Sequence, residues 1–173
     1  MDNIVLIGMM GSGKTSVGRA ISKKAGIAFI DTDAVIEAHR GMTIPHIFEH
    51  YGEAHFRSLE AEIAQQVASY TNTVIATGGG IVLNSRNMAF LRTSGFVVYL
   101  RCSPTQLYER TAKDHNRPLL NATNERLMKL ETLLSQREHL YTQYSDFILD
   151  SDHASVDELS EMILERLNEN ISD

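Results

Sequence analysis

Several features that mark secreted, membrane-bound or nucleic-acid-binding proteins are scarce in this sequence. It has a single cysteine, Cys102, which excludes an internal disulfide and fits a reducing compartment. No apolar run approaches the roughly 18 residues that a membrane span requires, and the core strand expected almost at the first residue leaves no room for a signal peptide. Lysine and arginine form no block and the formal net charge is −6, which argues against binding nucleic acid through its phosphates. We therefore expect a cytoplasmic protein with no membrane or nucleic-acid partner.

The composition is otherwise that of a soluble globular protein. The chain has 173 residues, of which 43% are hydrophobic and 22% are charged. This length supports one domain with one sizeable core, and no repeat, linker or low-complexity segment divides it. Cys102 ends an apolar run, which favours a core or strand-end thiol over a nucleophile. We expect residues 1–173 to form a single domain that acts as a monomer.

The strongest motif is a phosphate-binding loop at residues 8–15. Four apolar residues, 4–7, predict a strand buried on both faces and lead directly into Gly8-x-x-x-x-Gly13-Lys14-Thr15. Glycines let backbone N–H groups turn inward around an anion, and the following helix points its positive end at the same place. The Lys14 ammonium can reach the β- and γ-phosphates, and the Thr15 hydroxyl can bind Mg²⁺. The motif predicts a nucleoside triphosphate site formed by Gly11, Ser12, Gly13, Lys14, Thr15 and Ser16.

Two carboxylates follow the second predicted strand, residues 27–30. Ligands of parallel α/β sheets bind beyond the carboxyl ends of the strands, where Asp31 and Asp33 are expected to lie. The third strand, 74–76, runs into glycines and supplies no acid, so Asp31 is the nearest candidate for the residue that orients Mg²⁺. Asp33 is either a ligand-binding group or the N-cap of the next helix.

Two arginines and three glycines need an explanation. Arg57 shares a face of a predicted helix with Glu53 and Glu60, and spacing alone favours a solvated ladder of charges there. Arg137 falls on the apolar stripe of a later helix, where a guanidinium needs either an internal carboxylate or a substrate anion as its partner. Glycines 78–80 end a buried strand, which indicates either close backbone approach to a ligand or a flexible turn.

Strands and helices alternate along the chain, which predicts a parallel sheet covered by helices on both faces. Residues 112–123 interrupt this alternation with basic groups, a proline and no clear period. In such a fold a polar excursion of this kind is either a mobile lid over the site or an ordinary surface loop.

Together the motifs resemble those of the shikimate kinases over nearly the whole chain. The matched segments are Gly8–Thr15, Asp31-Thr32-Asp33, Gly52-Glu53-x-x-Phe56-Arg57-x-x-Glu60, Thr77-Gly78-Gly79-Gly80, Arg117-Pro118-Leu119 and Arg137-x-x-x-Tyr141. The resemblance implies an α/β fold: a three-layer α/β/α sandwich of P-loop kinase type, with a five-stranded parallel sheet in the order 2-3-1-4-5. It also implies a substrate-binding helical segment at about 32–70 and a mobile lid at about 112–124.

The implied activity is transfer of the γ-phosphoryl group of ATP to the 3-hydroxyl of shikimate. Lys14, Asp33 and Arg117 would be the catalytic residues. Asp33 would hold the substrate hydroxyls and act as base or orienting acceptor, while Arg117 in the lid would meet the transferring phosphoryl group. Thr15 would bind Mg²⁺ directly and Asp31 would bind it through water.

The resemblance also assigns the remaining contacts. Arg57 and Arg137 would grip the shikimate carboxylate in a charge-assisted way, with backbone contacts from Gly79 and Gly80. The two glutamates on the Arg57 face would hold that arginine in place. Arg110 would bind ATP by lying over the adenine.

The sequence departs from the family in the loop at 150–155, which lacks the proline that often helps to sandwich the adenine. The alternative function is that of a gluconate-type or nucleoside monophosphate kinase of the same fold, but neither explains Asp33, Arg57, the triple glycine and Arg137 together. A GTPase switch is disfavoured because the chain has no Asn/Thr-Lys-x-Asp tetrad. A non-catalytic scaffold is disfavoured because the phosphate-binding loop and both aspartates are intact.

Overall fold

A computed structural model describes residues 2–112 and 123–171 of the chain. Strands and helices alternate along it, as the sequence predicts. Their bounds are β1 Asn3–Ile7, α1 Lys14–Ala25, β2 Ala28–Asp31, α2 Thr32–Arg40, α3 Ile44–Val67, β3 Thr73–Ala76, α4 Ser85–Ser94, β4 Gly95–Arg101, α5 Pro104–Ala112, α6 Thr123–Tyr144, β5 Phe147–Asp150 and α7 Val156–Ile171. A short 3-10 turn, Ile81–Leu83, lies between β3 and α4.

The five strands form one parallel sheet in the order β2-β3-β1-β4-β5. The order that the resemblance implies is therefore confirmed. β1 lies at the centre, with Val5 opposite Ile75 on one side and Val97 on the other. Because the strands are parallel, the loops that follow β1, β2 and β3 all emerge at the same edge.

Alternate residues of the central strand bury against opposite layers of helices. Ile4 and Leu6 pack with α1 and α7, whereas Val5 and Ile7 pack with α3, α4 and α6. All four are fully buried, so β1 has no solvent-facing side. This explains why its sequence is a continuous apolar run instead of an alternating one, and it confirms the three-layer architecture.

The helix boundaries follow from capping groups that the sequence contains. Gly26 ends α1 in the left-handed conformation, at φ 67°. Asn84 caps α4 by accepting from the Arg86 amide. At α2 the alternative interpretation of Asp33 as the cap is wrong: Asp31 is the N-cap, and its side chain accepts from the amides of Asp33 and Ala34.

Helix α3 contains a break at Gly52. This residue has φ 81° and ψ 170°, a conformation that only glycine adopts readily. The second half of the helix starts at Glu53 and carries Arg57, whose guanidinium lies against Gly80. Over the described ranges, none of the helices combines the length and apolar character that crossing a bilayer requires.

Candidate active site

The loop between β1 and α1 has the conformation of an anion cradle. Gly8, Gly11 and Gly13 all have positive φ, at 144°, 84° and 99°. A Cβ at Gly8 would also lie 2.6 Å from the carbonyl oxygen of Leu100, so this position requires glycine on two grounds. The turn delivers the chain to the first residues of α1, whose free N–H groups and dipole attract an anion.

Lys14 lies inside this loop. Its Nζ donates to the carbonyl oxygens of Gly8 at 2.7 Å and Met9 at 2.8 Å. Burial lowers the pKa of Lys14 to about 8, partly offset by the negative charges of Asp33 and Asp31. The Lys14 ammonium is thus desolvated and bonded to two backbone carbonyl oxygens. A phosphate anion in the loop would give it a partner of opposite charge.

Thr15 and Asp31 meet beside the loop, one from α1 and one from the end of β2. The Thr15 hydroxyl donates to Asp31 Oδ2 at 2.8 Å, and the other carboxylate oxygen of Asp31 caps α2. A hydroxyl and a carboxylate side by side are oxygen ligands of the kind that Mg²⁺ prefers. Within the ranges 2–112 and 123–171, no group of three or more His, Cys, Asp or Glu side chains could hold a metal.

Asp33 points its carboxylate at the glycine loop after β3. A Cβ at Gly78 would lie 2.7 Å from Asp33 Oδ1, so a side chain there would displace the carboxylate. Burial raises the pKa of Asp33, as does Asp31, while Lys14 and Arg57 act in the opposite direction. Oδ1 is buried and has no hydrogen-bond partner in the described part of the chain. An acceptor in that state suits a hydroxyl donor from a ligand.

Arg57 forms both pairs of the predicted charge ladder, with Glu53 and Glu60, but the ladder is not solvated throughout. Its Nη1 donates to Glu60 Oε1 at 2.8 Å, and Glu60 is only 1% exposed. A Cβ at Gly80 would collide with the guanidinium. Burial raises the pKa of Glu60, with Arg57 acting in the opposite direction. Glu53 lies at 3.4 Å from Nη2 and is far more exposed.

Arg137 reaches the same glycine loop from α6. A Cβ at Gly79 would lie 3.7 Å from Arg137 Nη1. One turn further along α6, the Tyr141 hydroxyl donates to the Gly79 carbonyl oxygen. The structure thus brings Asp33, Arg57 and Arg137 together around residues 78–80. Directly beside them lies a cavity of about 200 Å³ that Lys14, Thr15, Asp31, Asp33 and the glycine loop line.

Arg110 links the phosphate-binding loop to the loop after β5. Its Nη1 donates to the Ser12 carbonyl oxygen and to Ser151 Oγ, both at 3.3 Å, and its Nη2 donates to the Ser151 carbonyl oxygen. This places the guanidinium between the two loops that flank the predicted adenine position. Arg117 and nearly all of the predicted lid lie outside the described residues.

Two residues of this region have contacts that sequence reasoning missed. The Thr32 hydroxyl accepts a hydrogen bond from the Gly78 amide at 3.3 Å. Tyr141, which the motif with Arg137 already singled out, holds the next glycine of the loop. The spacing of Arg137 and Tyr141 was a signal that both face one site, but it does not reveal what the hydroxyl contacts.

Comparison with known proteins agrees with this geometry. A family model described as shikimate kinase matches residues 10–168. The shikimate kinase of Thiobacillus denitrificans is 45% identical over 167 residues, which cover 96% of this chain and 91% of that protein. The solved structure of shikimate kinase from Acinetobacter baumannii in complex with shikimate is 38% identical, with a TM-score of 0.90 over 98% of this chain and 94% of that one. The structure of a gluconokinase from Sinorhizobium meliloti aligns with 99% of this chain over 95% of its own length. At 20% identity and a TM-score of 0.59, this similarity shows a shared fold alone.

Proposed function

This chain belongs to the shikimate kinase family, and from that premise we propose how its residues bring about ATP-dependent phosphorylation of the 3-hydroxyl of shikimate. The enzyme is an ATP:alcohol phosphotransferase, and its products are shikimate 3-phosphate and ADP. The observation that carries the proposal is the convergence of Asp33, Arg57 and Arg137 on residues 78–80, beside the phosphate-binding loop. Phosphoryl transfer needs positioning and charge neutralisation above all, and this arrangement offers both.

The nucleotide occupies the loop at 8–15. Backbone N–H groups and the start of α1 receive the phosphates, and the Lys14 ammonium moves from the Gly8 and Met9 carbonyl oxygens to pair with them. Arg110, together with the loop after β5, contacts the adenine. Gly11, Ser12, Gly13, Thr15 and Ser16 complete this half of the site.

Thr15 and Asp31 fit a magnesium ion, because they juxtapose a hydroxyl and a carboxylate next to the phosphate cradle. Thr15 would bind it directly and Asp31 through water. When bound, Mg²⁺ neutralises charge that develops on the phosphate oxygens during transfer.

Shikimate lies at the other end of the cavity. Asp33 accepts a hydrogen bond from the attacking hydroxyl and aligns it with the γ-phosphoryl group, because its Oδ1 is buried and unpartnered within the described ranges. Arg57 and Arg137 hold the carboxylate, and Gly79 and Gly80 add backbone contacts. Arg57 is fixed for this task by Glu60 and Glu53.

The helical segment at about 32–70 supplies Asp33 and Arg57 to the substrate site, and the segment at about 112–124 acts as the lid. Arg117 meets the transferring phosphoryl group when the lid closes and excludes water. We further propose that the enzyme works as a monomer and that it acts in the cytoplasm, since its single cysteine fits a reducing compartment. Sedimentation of the purified protein with and without ligands tests the monomer.

The experiment that tests this function measures ADP release with four acceptor conditions: shikimate, gluconate, AMP and none. We expect release with shikimate alone, and a product phosphorylated at the 3-hydroxyl by phosphorus NMR. Faster release with gluconate or AMP would overturn the shikimate assignment. Release that does not depend on any acceptor would reduce the protein to an ATPase.

A further inference from the structure

Two tyrosines stack on each other beside the glycine loop at residues 78–80. The rings of Tyr99, from β4, and Tyr141, from α6, have centroids 5.0 Å apart and planes 25° apart. Both residues are almost fully buried, at 1% and 0% exposure. Burial raises the pKa of Tyr141 to about 12, against the opposing effect of Arg137, and burial also raises the pKa of Tyr99. Both hydroxyls therefore stay protonated at physiological pH and can act as donors.

The two hydroxyls differ in what they contact. Tyr141 donates to the carbonyl oxygen of Gly79. The Tyr99 hydroxyl is buried with no hydrogen-bond partner in the described part of the chain. The Tyr141 hydroxyl therefore stabilises one backbone group, the Gly79 carbonyl. The Tyr99 hydroxyl stabilises none in the described residues, and an unsatisfied buried hydroxyl destabilises the fold.

The bond to Gly79 orients a whole peptide unit. No peptide bond in the described ranges is cis, and in a planar trans peptide the carbonyl and the following N–H point in opposite directions. Holding the Gly79 oxygen toward α6 therefore directs the Gly80 N–H away from α6. The Gly78 amide donates to the Thr32 hydroxyl, so side chains hold the peptides on both sides of the Gly78–Gly79 peptide.

The position of this peptide matters because it lies against both arginines assigned to the carboxylate. A Cβ at Gly79 would lie 3.7 Å from Arg137 Nη1, and a Cβ at Gly80 would collide with Arg57. A rotation of the Gly79–Gly80 peptide would move its dipole relative to both guanidinium groups. Backbone hydrogen bonds hold the carbonyl oxygens of Gly78 and Gly80, from the amides of Ile81 and Leu83. Because glycine has the widest backbone freedom of any residue, the Gly79–Gly80 peptide between them depends on the side-chain bond from Tyr141.

We propose that Tyr141 is a positioning residue for shikimate: its hydroxyl locks the Gly79–Gly80 peptide so that the Gly80 N–H and the two arginines present one binding surface. The inference rests on the proposed function, because it concerns the acceptor half of that same site. It predicts an effect on shikimate binding that is separate from nucleotide binding and from stability.

The test compares Tyr141→Phe with Tyr99→Phe in the full-length enzyme. Each change removes one hydroxyl from the same stacked pair and keeps both rings. For Tyr141→Phe we expect KM for shikimate to rise about three- to ten-fold, in line with the loss of one hydrogen bond, with kcat and KM for ATP within about two-fold of the parent. For Tyr99→Phe we expect all three constants to stay within about two-fold, with a melting temperature equal to or above that of the parent. Circular dichroism melts establish that both variants are folded.

The outcomes separate the two claims. An active parent with an unchanged shikimate KM in Tyr141→Phe would overturn the positioning role and leave the proposed function standing. An equal rise of KM in both variants would overturn it too, because the effect would then belong to packing of the pair. A rise in KM for ATP of the same size would assign the effect to general loss of structure. A parent that shows no shikimate-dependent ADP release would overturn the proposed function, and this inference with it.

Discussion

At the scale of single residues, the site depends on charges that are buried before any ligand arrives. Lys14 is 7% exposed and rests on two backbone carbonyl oxygens. Its lowered pKa reports the cost of removing an ammonium from water. Its role is therefore electrostatic, and the local packing needs little more than its aliphatic part.

Replacing Lys14 with Met keeps that aliphatic part and removes the charge. We expect kcat to fall by at least about 100-fold, as when one preorganised charge donor is removed from a transition state. The melting temperature should stay within a few degrees of the parent, because the desolvation cost disappears together with the hydrogen bonds. Steady-state kinetics and a thermal melt measure both. Lys24→Met is the matched control, since Lys24 pairs on the surface with Asp157 and Glu161. A kcat of Lys14→Met as high as that of Lys24→Met would show that the Lys14 charge does not stabilise the transition state.

Arg57 offers a second test at this scale, because its guanidinium pairs with the buried Glu60 and with the more exposed Glu53. Nη1 bonds Glu60, whereas Nε is buried and unpartnered in the described ranges. Arg57→Lys preserves the charge and loses the planar fork. We expect KM for shikimate to rise about ten-fold with little change in KM for ATP. Arg92→Lys on α4, whose nearest carboxylate is 4.0 Å away, should change neither constant. An unaltered shikimate KM in Arg57→Lys would remove this arginine from the site.

At the scale of elements, the bend in α3 determines where Arg57 lies. The first half of the helix begins at its Thr43 cap, and the second half begins after Gly52. Without the bend, the second half would continue on the axis of the first and carry Arg57 with it. The bend at Gly52 therefore affects the substrate site, because it sets the direction of the half-helix that carries Arg57.

Gly52→Ala tests this connection. At φ 81° and ψ 170° an alanine is strained by about 1–3 kcal/mol, so the melting temperature should fall by several degrees. The shikimate KM should rise as well. Gly41→Ala is the control: Gly41 has φ 63°, and a Cβ at either glycine meets nothing within 4 Å. We expect Gly41→Ala to cost about 1–2 kcal/mol and to leave the shikimate KM unchanged. Equal effects of the two variants on KM would separate the bend from the site.

The lid is a second element with its own test. Arg117 lies outside the described residues, so its role is a prediction from sequence. Contacts made only in the transition state raise kcat, and arginines that meet a transferring phosphoryl group contribute roughly 10³ to 10⁵ in kcat. We expect Arg117→Ala to lose about 10³ in kcat while ATP affinity and the melting temperature stay close to the parent. A loss of only a few-fold, measured under saturating substrates, would make Arg117 an ordinary surface arginine.

Local sequence predicted the elements well where their determinants are local. The caps Gly26, Asn84 and the Ser155–Glu158 capping box each depend on residues within one turn of the helix end. The start of α2 was harder, because Asp31 and Asp33 flank it and either carboxylate could cap. The hydrophobic periodicity of the sequence does not determine the order of the strands, which only the family resemblance implies. The same holds for contacts between distant residues, such as Tyr141 with Gly79, which are 62 positions apart.

At the scale of the whole molecule, burying the Glu60 carboxylate in the site lowers the free energy of unfolding. Burial raises the pKa of Glu60 despite the adjacent guanidinium of Arg57. The folded protein therefore holds this proton more tightly than the unfolded chain does. Glu60 favours folding below its unfolded pKa, and that contribution is lost as the pH rises through the raised folded pKa. Above that raised folded pKa, the ionised Glu60 lowers the free energy of unfolding while it holds Arg57.

Glu60→Gln tests this trade-off because glutamine imitates the protonated acid. We expect the free energy of unfolding of the variant to increase relative to the parent as the pH rises from about 4 to about 7. At neutral pH the shikimate KM should increase, because Arg57 loses its charged anchor. Urea unfolding at several pH values and steady-state kinetics measure the two effects. A stability difference that does not depend on pH would show that Glu60 titrates alike in both states.

The buried position of Cys102 has a practical consequence for labelling chemistry. It is the chain's one thiol, it is 3% exposed at the end of β4, and burial raises its pKa to about 11. The thiolate is the nucleophile that attacks maleimides and disulfide reagents, so we expect Cys102 to react slowly with them in the native fold. A cysteine introduced at an exposed position would therefore take a dye or spin label at one defined place, with the wild-type core left intact. With that cysteine placed within residues 112–124, the fluorescence or the spin-label line shape could follow this segment through a catalytic cycle.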